Sequence, residues 1–158
     1  MKKKDGRIGD IIHIYRGDYM DSRLNNQLEI LNNSVRSEDF IDIAYDVTEE
    51  IESYENAFDV VEPILKLIEQ NPDIDFGLPG PLVHFVEQFY GNGYEEKLVQ
   101  SIERFPTSHT VWMLNRVVNG CEGVQKKYYL NVLKNVLNLP NVNKDLTSII
   151  KEFLSMHS

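Results

Sequence analysis

Apolar residues recur along this chain with the spacing of one helical face, and prolines punctuate them at a fixed interval. Pro72, Pro106 and Pro140 lie 34 residues apart. Four places before each proline stands Ile68, Ile102 or Val136; seven before, Leu65, Val99 or Leu133; eight before, Ile64, Leu98 or Val132. These offsets fall on one stripe of an α-helix, so each unit is predicted to close with an amphipathic helix stopped by its proline. A second apolar series precedes each stripe: Phe40, Ile43, Ala44, Val47 and Ile51; then Leu82, Val83, Phe85, Val86 and Phe89; then Val111, Trp112, Leu114, Val117 and Val118. Turn signals separate the two series within each unit, at Glu52-Ser53, at Gly91-Asn92-Gly93 and from Gly120 to Gly123.

The pattern predicts an all-α chain: a HEAT-like stack of antiparallel helical hairpins with a period of 34 residues and units at about 39–72, 73–106 and 107–140. Tetratricopeptide repeats share the period, but their small-residue and aromatic positions do not recur here. Leu24, Leu28, Leu31 and Val35 predict a capping helix over Arg23–Val35, and Leu146, Ile149, Ile150, Phe153 and Leu154 a closing helix over 143–156. The whole, 1–158, reads as one helical-repeat domain. Pro63 falls inside the helix predicted for Ser53–Gln70, where it demands a kink or break. Gly77-Leu78-Pro79-Gly80-Pro81 predicts a turn running into a helix, with Pro81 near its first position. Residues 8–17 read equally as a short strand or a helical turn.

A length of 158 residues with 42% hydrophobic and 26% charged side chains suffices for one core and excludes wholesale disorder. Cys121, the single cysteine, makes neither an internal disulfide nor a cysteine zinc site and fits a reducing compartment. The basic start is not followed by a signal-type apolar run, because Asp10, Arg16 and Asp18 interrupt it. No stretch approaches the roughly 20 apolar residues of a bilayer span. A cytoplasmic location without membrane contact is the expectation.

The net charge of -9 is unevenly placed. Residues 1–37 carry 7 Lys/Arg and 5 Asp/Glu, residues 38–75 carry 1 and 13, residues 76–106 carry 2 and 4, and residues 107–158 carry 6 and 3. A nucleic-acid binder concentrates cations to displace phosphate counterions; this chain concentrates carboxylates, which argues against direct nucleic-acid binding. Asp39, Asp42, Asp46 and Glu49 follow one another at helical steps beside the apolar Phe40, Ile43, Val47 and Ile51. The paired segment repeats the scheme, with Glu55, Asp59, Glu62 and Glu69 outside and Phe58, Val61, Leu65 and Ile68 inside. Like charges so spaced cost an isolated helix about 0.2–0.5 kcal/mol per pair. A basic protein partner, simple solvation and cation binding all fit such rows. Acid/base catalysis fits poorly, because a row facing water lacks the burial that separates proton affinities.

Other chemistry is weakly signalled. Asp73-Ile74-Asp75-Phe76-Gly77 breaks a calcium-loop pattern too early. His84 and Glu87 stand three apart, but no second pair joins them, and His13, His109 and His157 lack ligand spacing, so a hydrogen-bonded structural role is the default and no metal is expected. Cys121 carries no nucleophile signature, no Gly-x-Ser-x-Gly occurs, Gly91-Asn92-Gly93 is too short for a phosphate loop, and Arg16-Gly17-Asp18 reads as a coincidence in a turn. Asn115, Arg116 and Asn119 interrupt an apolar run, and Arg116 sits one repeat from Leu82, close to the level of Glu87. A polar tie between neighbouring hairpins, Arg116 to Glu87 or to loop carbonyls, is expected.

Residues 77–87, Gly-Leu-Pro-Gly-Pro-Leu-Val-His-Phe-Val-Glu, then Tyr94, Pro106-Thr107 and Trp112-Met113-Leu114-Asn115-Arg116-Val117-Val118-Asn119 carry a resemblance. The segment from about 76 to 120, and more loosely to about 137, resembles the all-helical immunity proteins of bacterial polymorphic toxin and contact-dependent inhibition systems. The resemblance implies a cytoplasmic, noncatalytic protein that binds and neutralises one toxin domain; a monomer without cofactor is the expectation. Its matching positions His84, Glu87, Asn115, Arg116 and Asn119 stand as structural signatures, not toxin contacts. Residues 1–60 lie outside it, so a docking role for Asp39, Asp42, Asp46, Glu49, Glu55, Asp59 and Glu62 rests on charge alone. Many such toxins are nucleases with basic grooves, which a carboxylate surface complements. A helical-repeat scaffold or adaptor that binds another cellular protein is the alternative.

Overall fold

Asp21 starts the first helix by accepting the Arg23 amide on its side chain at 2.8 Å, the ordinary way of satisfying a first-turn N–H. The computed structural model describes residues 20–140 and 142–158. The ambiguous segment 8–17, the Arg16-Gly17-Asp18 turn and His13 lie outside these. From Asp21 the chain forms α1 (Ser22–Ser34), α2 (Phe40–Glu52), a 3-10 turn (Ala57–Val60), α3 (Val61–Gln70), α4 (Gly80–Glu87), α5 (Tyr94–Arg104), α6 (Ser108–Asn119), α7 (Gly123–Val136) and α8 (Lys144–Met156). Among the described residues there are eight α-helices and no strand.

The proline-anchored stripes are the spine of this arrangement. All nine positions counted back from Pro72, Pro106 and Pro140 are buried, on α3, α5 and α7. Burying such a side chain is worth about 1.5–3 kcal/mol. Pro72 and Pro106 stand two residues past the ends of α3 and α5, whereas α7 already ends four residues before Pro140. Helix α2 packs on α1 and α4; α3 packs on α5 and α6; α5 packs on α6 and α7; α8 closes on α6 and α7. One apolar cluster runs through these contacts from Leu24 to Ile150.

One expectation is corrected. The segment Ser53–Gln70 is not a single helix kinked at Pro63: a turn and the 3-10 piece precede α3, and Pro63 is the third residue of α3. A first-turn amide has no intrahelical acceptor, so the missing N–H costs nothing there and no break is needed.

Charged ties join successive units at nearly the repeat spacing. Lys97 donates to Glu62 at 3.1 Å, 35 residues apart. Arg104 grips Glu69 through Nε at 3.1 Å and through Nη2, again 35 apart. Gln88 donates to Glu52 at 2.6 Å and Arg36 to Asp73 at 3.0 and 3.2 Å. Gly93 (φ +107°) is fixed by packing as well as by its backbone, since a Cβ there would come 2.8 Å from the Phe58 ring.

Candidate functional site

Helix α2 sorts its residues by face. Phe40, Ala44, Val47, Thr48 and Ile51 are buried, and the Thr48 hydroxyl donates to the Ala44 carbonyl at 2.9 Å. Asp39, Asp42, Asp46 and Glu49 are exposed, with Tyr45 among them. Glu55 and Asp59 are exposed on the turn and the 3-10 piece. None of these six carboxylates forms an ion pair among the described residues. With the equally exposed Glu38, Glu50 and Glu52 they form an acidic surface between Ser37 and Val60 that has no ion pair among the described residues.

Two carboxylates placed in the outward rows behave differently. Glu62 is half-buried between Lys97 at 3.1 Å and Lys66 at 3.5 Å, and the Lys97 ammonium holds its carboxyl below the usual range. Glu69 is not outside at all: it is 6% exposed and paired with Arg104. Nor are the two rows carried by closely packed neighbours. Helix α2 has its main contacts with α1 and α4, and α3 with α5, α6 and the 3-10 piece.

The signature residues divide into ties and surface positions. Arg116 Nε and Nη2 donate to Glu87 Oε2 and Oε1 at 2.8 and 2.9 Å, linking α6 to α4 as a bidentate pair, and the same guanidinium lies 5.1 Å from the Trp112 ring centre. Asn115 Oδ1 lies 3.1 Å from His157 Nε2, which ties α6 to the residue after α8. His84 and Asn119 are exposed, so His84 does not hold the core together. It lines instead an open groove of about 360 Å3 with Ile41, Tyr45, Asp75, Leu78 and Pro79.

Reactive constellations are sparse. Cys121 is buried with its Sγ 3.2 Å from the Tyr90 hydroxyl, a contact that pushes the phenol pKa up. Among the described residues no group of three or more His, Cys, Asp and Glu is placed to hold a metal ion. No helix of the described residues is long and apolar enough to cross a membrane.

His109 is a titratable group at odds with its surroundings. Its ring packs between Phe76 at 5.4 Å and Trp112 at 5.5 Å, and its Nε2 is buried without a partner among the described residues. Burial lowers its pKa from 6.5, with Asp75 opposing weakly. In the window below 6.5 the unfolded chain therefore binds a proton that the folded chain resists, and stability is lost as pH falls through it. Thermal melts between about pH 7.5 and 5.5 should show Tm falling with pH in the wild type and a flatter profile in His109→Phe, both measured above the carboxylate range.

Sequence reasoning missed Leu78 and Tyr45, the two exposed large apolar side chains at the groove, and Lys97 and Arg104, the basic halves of two inter-unit ties, although it paired Arg116 with Glu87. The ties had a signal, an acid and a base about one repeat apart; the groove had none, because it joins a helix to a loop. No family model matches the chain, and no curated protein and no solved structure matches it.

Proposed function

We propose that this protein is an immunity protein, a noncatalytic helical binder that neutralises a cognate bacterial toxin domain by occlusion. The observation that carries the reading is the set of six exposed carboxylates, Asp39, Asp42, Asp46, Glu49, Glu55 and Asp59, without an ion pair among the described residues while nearby Glu62 and Glu69 are matched. Unneutralised charge accelerates capture of an oppositely charged partner. A toxin with a basic substrate groove, a nuclease foremost, supplies that charge. The resemblance of residues 76–120 to bacterial immunity proteins supports the same reading.

The architecture we favour is a HEAT-like stack in one domain with α1 and α8 as caps; of the expected hairpin partners α6 and α7 pack on each other, while α2 and α3, and α4 and α5, have their main contacts with other helices. Contacts between like-placed helices, α2 with α4, α3 with α5 and α5 with α7, support it. The protein acts as a monomer in the cytoplasm. Glu62 leaves the docking set, because its lysine partners neutralise it.

The test is co-expression with the neighbouring open reading frame. Wild-type protein should restore growth, and the Asp42→Lys/Asp46→Lys/Asp59→Lys variant should bind the purified toxin domain about 100-fold more weakly with unchanged far-UV circular dichroism. Equal affinity of the two proteins removes the acidic face from the mechanism.

A further inference from the structure

The groove between α2 and the loop leading into α4 combines features that the acidic rows alone lack. Leu78 is 79% exposed and Tyr45 51% exposed. Large apolar side chains grouped around a concavity on an otherwise polar surface mark a place where a partner is seated. The turn that carries Leu78 is closely fitted. Gly77 has φ +93°, a Cβ there would come 2.7 Å from the Gly80 Cα, and the Gly77 amide donates to Asp75 Oδ1 at 2.9 Å. The backbone thus holds Leu78 at the tip.

The charge around this groove has one sign. Asp75 lines it, Asp42 and Asp46 directly follow the lining residues Ile41 and Tyr45, and Glu49 stands one helical turn beyond Tyr45. From Ser37 to Glu96 the sequence holds 16 Asp/Glu and a single Lys/Arg, Lys66, which is itself paired with Glu62. An occupant must therefore bring apolar surface for Leu78, Tyr45 and Ile41 together with cations for the carboxylates.

We infer that this groove is the anchor point for a basic polypeptide segment that seats one aliphatic or aromatic side chain between flanking lysines or arginines. The inference deepens the toxin-binding reading, on which it rests for the partner's identity, and adds the point where apolar contact fixes what charge attracts. Apolar contact at such a centre sets the dissociation rate; the surrounding carboxylates set the association rate.

A random-peptide display library panned on immobilised full-length protein in low-salt buffer tests it. Enriched peptides should carry Leu, Met or Phe flanked by Lys or Arg, and should bind Leu78→Ser and Tyr45→Ser about tenfold or more weakly than wild type. Both side chains are largely exposed, so neither change threatens the fold. Absence of enriched peptides, enrichment without the basic-apolar pattern, or undiminished binding by both variants overturns the groove. The growth assay separates the two ideas. Full rescue and full toxin affinity in Leu78→Ser/Tyr45→Ser eliminates the groove and leaves the toxin reading standing. Groove-dependent peptide binding without rescue keeps the groove and eliminates the toxin.

Discussion

Leu98→Ala is expected to lower the unfolding free energy by about 2–5 kcal/mol, the range for emptying a fully buried leucine site. Leu98 sits on α5 with no exposed surface, at the middle position of the three that fall eight residues before a repeat proline. Helix α5 packs on α3, α6 and α7, so the cavity would open between neighbouring units where few side chains can collapse into it. In a chain of this size each kcal/mol shifts Tm by about 2–4 °C, which puts the melt roughly 4–20 °C lower. Val124→Ala is the control. That side chain is 84% exposed on α7, and its loss should move stability by no more than about 0.5 kcal/mol. Urea titrations of both variants decide the matter, and a Leu98→Ala cost within the control's range would show that the stripe is not the core.

The second large effect concerns Glu69 and Arg104. The Glu69 side chain is 7% exposed and the Arg104 side chain 38%, so the pair is buried on one side and open on the other. Arg104→Met strands a carboxylate out of water, and the expected loss is about 2–3 kcal/mol, below the range for fully enclosed pairs because solvent reaches the arginine side. Replacing both residues, Glu69→Leu with Arg104→Met, should recover most of it, since an apolar pair in that space leaves nothing unpaired. A double-mutant cycle in urea gives the coupling directly. A cost under about 0.5 kcal/mol for Arg104→Met would mean that water already reaches Glu69.

How far these features could be read in advance depended on the range of the signal. Periodicity is local, and the stripes at 64, 65 and 68 and their counterparts on α5 and α7 are where the spacing puts them. The start of α3 is not legible from the apolar series, which runs through the preceding 3-10 piece at Phe58 into Val61, and so sets Pro63 inside a longer helix when it occupies a first-turn position that tolerates it. Glu69 was assigned outward by its charge, although it stands next to Ile68 and four residues after Leu65, at the margin of the stripe. Its burial needs Arg104, 35 residues later, and nothing within its own helix announces that partner. Leu78 sits in a loop without any period, and only the folded chain brings it to the groove shared with Tyr45.

The division of labour within α2 has an evolutionary corollary. Its inward residues answer to the core, while the side chains of Asp42, Tyr45, Asp46 and Glu49 are exposed and make no hydrogen bond or ion pair among the described residues. Substitutions at such places seldom change stability by more than about 0.5 kcal/mol. On the proposed reading, recognition on this ridge can therefore change without renegotiating the scaffold.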